Sequence, residues 1–107
     1  MRYREFVERV KASVLDASAH TPAAVRRAVA FGPGTQVPEA LRAYADKVAL
    51  HAYRVTDADV EQLARAGYSE DQIFEVTAAA ALGAAVRRLE RGLDVLEDAR
   101  KARRVSR

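Results

Sequence analysis

Residues Thr56–Leu96, TDADVEQLARAGYSEDQIFEVTAAAALGAAVRRLERGLDVL, decide the fold. They read as a short helix, a turn marked by glycine, and a long alanine-rich helix. Thr56 is suited to cap the short helix, with Asp57 and Asp59 placing negative charge at the positive end of its dipole. Val60, Leu63 and Ala64 then share one face, as an amphipathic helix requires. Gly67 falls where a left-handed residue ends a helix without a Cβ penalty. Ser69-x-x-Gln72 is a capping box that opens the long helix. Ile73, Val76, Ala80 and Ala84 form one apolar stripe along it. Leu82, Val86, Leu89, Leu93 and Leu96 form a second, spaced alternately by four and three. Between Ala78 and Ala85 there is almost no polar side chain, and a helix apolar all round is expected to be buried all round. Gly83 among those alanines would let a neighbouring helix come close. The long helix is therefore expected to be the central post of the domain or of an oligomer.

Upstream, the same periodicity predicts three more helices. Tyr3, Phe6, Val7, Val10 and Val14 repeat at three and four over Arg2–Ser18, opposite a charged face. After a break at His20, Thr21 with Pro22 reads as an N-cap followed by proline at the first helical position, opening a helix over 22–31. Gly32-Pro33-Gly34-Thr35-Gln36 is a loop. It lacks the Gly-Lys-Ser/Thr of a phosphate-binding loop and has no strand before it. A third helix is expected from Pro38 to about Arg54, with Leu41, Tyr44, Val48, His51 and Val55 as its apolar stripe. No internal repeat is visible. The prediction is one all-α domain of about five helices, with the third to fifth forming its core. Residues 1–36 form an N-terminal helical segment and 100–107 a basic tail.

Composition agrees. Alanine fills 23 of 107 positions, against three prolines and five glycines, a balance that favours helix. Half the residues are hydrophobic and 31% are charged, which fits a folded globular chain. The absence of cysteine removes disulfides, thiol redox chemistry and thiolate metal sites from these residues. With two histidines far apart, no metal is expected, and no cofactor motif is present. No apolar run reaches the ~18 residues of a membrane span. Met1 leads into charged residues rather than a signal sequence, so the expected location is the cytoplasm. Net charge is only +3, with one local excess at Arg100, Lys101, Arg103, Arg104 and Arg107. Such an end could meet nucleic acid or an acidic partner; it equally suits the negative pole of a helix dipole.

The stretch DADVEQLARAGYSEDQIFEVTAAAALGAAVRRLERGL resembles the C-terminal half of the carboxymuconolactone decarboxylase and alkylhydroperoxidase D-like family. VPEALRAYADKVALHAYRVTD is similar to the helix that leads into it. The resemblance spans roughly Val37–Leu96 and rests on L-x-x-A-G-Y-S-x-x-Q-I. It implies an all-α, alkylhydroperoxidase D-like fold that assembles into homo-oligomers. Peroxidase members of the family use Cys-x-x-Cys followed by His, and this chain has no cysteine. The resemblance thus supports the fold and removes the best-known chemistry.

Few residues are candidates for chemistry. His51 follows Tyr44 by seven positions on the third helix, and the two could act as a general acid or base. The alternative is a packed histidine bonded to a neighbour, since no carboxylate lies one turn away on that face; Asp46 and Glu75 would have to approach in space. Ser13-x-x-Asp16-x-x-x-His20 has the spacing of the family's Cys-x-x-Cys-x-x-x-His. In that register both thiols are replaced by groups unable to form a disulfide, and the family's upstream acidic residue falls at Met1; coincidence of spacing is the other explanation. Val60–Val76 has a helix-turn-helix outline, yet Glu70, Asp71 and Glu75 would repel the phosphates that such a helix must approach.

Three functions stay open. First comes a catalytically silent or structural homo-oligomer, serving as a small-molecule or protein-partner binding module. Next is an acid–base enzyme of the carboxymuconolactone decarboxylase type using His51 and Tyr44. A nucleic-acid binder using the basic tail is third. Self-association is expected because one short chain has too few elements to cover both stripes of the long helix. Gly83 and Ala84 are expected at the close approach.

Overall fold

The computed structural model describes residues 2–105; Met1 and Arg107, both invoked above, lie outside them. It has five helices and, among the described residues, no strand: α1 (Arg2–Leu15), α2 (Ala23–Phe31), α3 (Glu39–His51), α4 (Asp57–Arg65) and α5 (Glu70–Val105). Short 3-10 turns occupy Gly34–Gln36 and Ala52–Arg54. No helix is long and apolar enough to cross a membrane among the described residues.

The turn between α4 and α5 forms as its sequence dictates. Gly67 has φ +103°, its N–H donates to Ala64 O, and Tyr68 N–H donates to Leu63 O at 3.2 Å. These are the two bonds of a glycine-closed helix end. Ser69 and Gln72 then cap α5 reciprocally, at 2.9 and 3.1 Å.

Elsewhere the boundaries shift for physical reasons. α1 ends at Leu15 rather than Ser18, because the Arg26 side chain takes the carbonyls of Val14 and Ala17. Pro22, not Thr21, is the N-cap of α2. Thr21 is turned inward, and its N–H is claimed by Glu75. Pro38 likewise occupies the N-cap of α3, whose last expected turn is 3-10.

α5 is the central post. At 36 residues it spans ~54 Å at 1.5 Å per residue, which accounts for most of the 62 Å long axis of the molecule. α2 and α3 pack along its first half, and α4 meets it only near its start. The main core joins Ala28 of α2, Leu41, Tyr44 and Ala45 of α3, Leu63 of α4, and Ile73, Val76 and Ala80 of α5. The core therefore recruits α2 as well as α3–α5. Gly83 makes this possible: a Cβ there would lie 2.2 Å from Ala30 O. The expected close approach is real, but it is made by this chain's own α2, and Ala84 is buried within the same fold.

α1 runs antiparallel to α5. Tyr3 and Arg4 lie beside Leu93 and Asp94, and Val14 and Ala17 beside Phe74 and Ala78. Val7 and Val10 cover Leu82 and Val86, so the second stripe is partly shielded by α1. Two other stripes of α5 need comment. Val76, Ala80 and Gly83 face the core, yet the same line continues as Arg87, Glu90, Asp94 and Glu97, all exposed. Arg87 marks the change by donating to Ala30 O at 2.8 Å. The outer face, by contrast, stays apolar and uncovered: Phe74 is 72% exposed and Val95 50%.

Candidate functional site

Tyr44 and His51 do not converge. Tyr44 is buried, and its hydroxyl lies 2.8 Å from Thr77 Oγ1, which donates its only proton to Ile73 O. The Tyr44 proton is therefore committed to Thr77. His51 is exposed at the end of α3, two helical turns or ~10 Å along the axis. Its ring meets that of Tyr53 edge-on at 6.1 Å between centroids. Burial along the stripe is lost at His51 and returns at Val55, which packs against the main core.

A hollow of about 370 Å3 between α3 and α4 is lined by Tyr44, Lys47, Asp59 and Gln62, with alanines between them. Lys47 Nζ donates to both Asp59 oxygens at 3.0 and 2.8 Å. That contact, with the Thr56 N–H at 2.8 Å, holds the Asp59 carboxyl below its ordinary range. Lys47 and Asp59 thus tie α3 to α4 across the hollow, and Asp59 closes the cap of α4. Neither was singled out for such a pairing by the sequence.

The most concentrated polar arrangement joins the α1–α2 connection to α5. The backbone N–H groups of His20 and Thr21 donate to Glu75 at 3.1 and 2.7 Å. His20 Nδ1 lies 3.2 Å from the same carboxylate, and Nε2 lies 3.7 Å from Asp71. Burial pushes the Glu75 carboxyl up, but the hydrogen bonds from His20 and Thr21 outweigh it and leave the pKa at about 2. The imidazole is held between two carboxylates and stays largely solvent-accessible. Such a pair can carry a proton. Asp71 and Glu75 share a face of α5 at i and i+4; their histidine partner, 55 residues from Glu75, left no signal in the sequence.

The Ser13/Asp16/His20 spacing does not assemble into one site. Asp16 forms a bidentate pair with Arg27 at 2.6 Å on each arm, and His20 turns to α5. Ser13 lines a hollow with Arg26, Phe74 and Glu75, the partner of His20. Among the described residues, no group of three or more His, Asp or Glu side chains is placed to hold a metal ion.

Glu75 carries a pH signature. Its pKa falls from 4.5 to about 2 on folding, so its bonds stabilise the fold above pH 4.5 and that contribution is lost as pH drops from 4.5 to about 2. Urea unfolding across this window is expected to show a decline that Glu75→Gln largely removes. An equal decline in the variant would place the acid sensitivity elsewhere.

Comparison with protein-family models, with curated proteins and with solved structures found no match.

Proposed function

We propose that this chain is a cysteine-free helical homo-oligomer of alkylhydroperoxidase D-like type. It serves as a structural or binding module and carries no thiol peroxidase activity. One observation supports self-association above all: the outer face of α5 leaves Phe74 and Val95 72% and 50% exposed, beside Phe6 of α1 at 59%. Leu89 and Leu96, on the stripe that α1 shields only in part, are 44% and 45% exposed. Large exposed apolar faces of this kind mark protein contacts. The acid–base alternative centres on His51, whose ring stands exposed and meets Tyr53.

Sedimentation equilibrium is expected to give a mass that is a multiple of the 11.7 kDa chain. Purified metal-free and haem-free protein is expected not to turn over organic hydroperoxides, since no thiol is present. A well-folded monomer at micromolar concentration would overturn the oligomer reading, and sustained turnover would overturn the inactive one.

A further inference from the structure

From Phe74 the outer face of α5 steps by four and three through Ala78, Ala81 and Ala85. Arg88 interrupts the series, and Gly92, Val95 and Ala99 resume it in the same register. Ala78 is half-buried; each of the others is exposed. A Cβ added at Gly92 would meet nothing within 4 Å. Alternation of four and three is the spacing of a helix seam that packs against another helix. Small side chains along such a seam allow close approach of the two axes. Among the described residues, α1 and the segment after it border this seam along one edge, with Phe6 and Val10 beside Ala85 and Val14 and Ala17 beside Phe74 and Ala78.

The charges on α5 say what fits. Its first turn is acidic, with Glu70 and Asp71, and its last turns are basic, with Arg100, Lys101 and Arg104. An identical helix laid parallel would set acid against acid and base against base, and Arg88 against its own copy. Laid antiparallel, the same helix sets each acidic end against a basic end and opposes the two dipoles. One antiparallel register brings the charged ends and the narrowest points of this face together. With Ala85 against Ala85, Ala78 faces Gly92, Phe74 faces Leu96, and Glu70 faces Arg100. Arg88 and Val95 fall level with Leu82 and Glu75, at the margins of the contact, while the narrowest points coincide at its centre. A face complementary to itself in this way defines a two-fold contact.

We infer that two copies of this chain pair antiparallel through the outer face of α5, with Ala85 at the two-fold axis. This rests on the self-association reading above and gives it a face, a direction and a register. Phe6 of each copy lies next to the axis and completes the apolar surface.

The lack of native cysteine makes the test direct, because any introduced thiol is the only one. Ala85→Cys is expected to oxidise to a covalent dimer. Ala78→Cys alone and Gly92→Cys alone are expected to remain monomeric on a denaturing gel, while an equimolar mixture of the two cross-links. Glu70→Arg or Arg100→Glu alone should weaken the dimer several-fold in sedimentation, and the double variant should restore it. Glu70, Ala85, Gly92 and Arg100 are exposed and Ala78 is half-buried, so a helical circular dichroism spectrum and an unchanged urea midpoint for Ala78→Cys accompany its cross-linking result. Self-cross-linking of Ala78→Cys and of Gly92→Cys would show a parallel pair and overturn the inference. An oligomer with no cross-linking at any of the three positions would move the interface elsewhere and leave self-association standing. A monomer would overturn both.

Discussion

Replacing Gly83 by alanine is expected to destabilise the fold by about 3 kcal/mol, although the same change in a free helix would stabilise it by ~1 kcal/mol. The sign is set by α2. A Cβ at this position would sit 2.2 Å from Ala30 O and 2.8 Å from Ala30 Cα, and both are backbone atoms that no rotamer change can move aside. Relief requires α2 to shift, which would loosen Ala28 and Ala30 against Val76, Ala79 and Ala80 and lengthen the Arg87 bond to Ala30 O. Gly92→Ala is the control for the fold of one chain: no atom of the chain lies within 4 Å of the position, so helix propensity alone should gain up to ~1 kcal/mol, and any loss would come from the inferred contact with a second copy. Urea midpoints for the two variants check both signs. A stabilised Gly83→Ala protein would mean that α2 does not touch α5 there.

Arg26→Met is expected to destabilise by a similar amount, about 3 kcal/mol. Arg26 is only 3% exposed and has no carboxylate bonded to it. Its guanidinium is satisfied instead by the carbonyls of Thr21, at 3.0 Å, Val14, at 2.8 Å, and Ala17. Val14 is in the last turn of α1, whose dipole is negative there and favours a cation, and Ala17 follows just beyond it. Methionine keeps most of the volume but leaves three carbonyls without a donor, and unsatisfied buried acceptors carry the full desolvation penalty. Lysine should recover only part of the loss, since one ammonium group cannot span three acceptors held by a planar fork. Thermal melts rank the three proteins. Loss of amide-exchange protection concentrated in α1 would separate a broken clasp from general unfolding.

The sequence was most informative where structure is made locally. Gly67 and the Ser69–Gln72 cap act within six residues, so composition and spacing suffice to place them. The closeness permitted by Gly83 was also legible, because a glycine among alanines needs a reason to be there. What stands against it was not legible. Periodicity says that a face is apolar without saying whether α2, α1 or another molecule covers it, and so the Leu82/Leu93 stripe was assigned to a second copy although α1 shields much of it. The uncovered outer face was hidden for the same reason: alanines on all sides give no contrast by which to tell inside from outside. Glu75 and Arg26 depend on how α2 sits on α5 and α1, across 55 and 12 residues. No local pattern encodes such a pairing. His51 illustrates the reverse error: the α-helix ends there and the chain turns 3-10, so the side chain leaves the apolar face that Val48 and Val55 keep.

The line Val76, Ala80, Gly83, Arg87, Glu90, Asp94 changes from apolar to charged at one point along α5, and that has a bearing on how this protein can vary. Adding or deleting a single residue in an α-helix turns everything beyond it by ~100°. Within Ile73–Asp94 such a change would swing Arg87 or Glu90 toward the core side and the outer alanines toward α1. Length there is fixed as firmly as any side chain. The exposed Gly32–Gln36 connection has no comparable constraint, and insertions in descendants of this chain should accumulate there while α5 changes only by substitution.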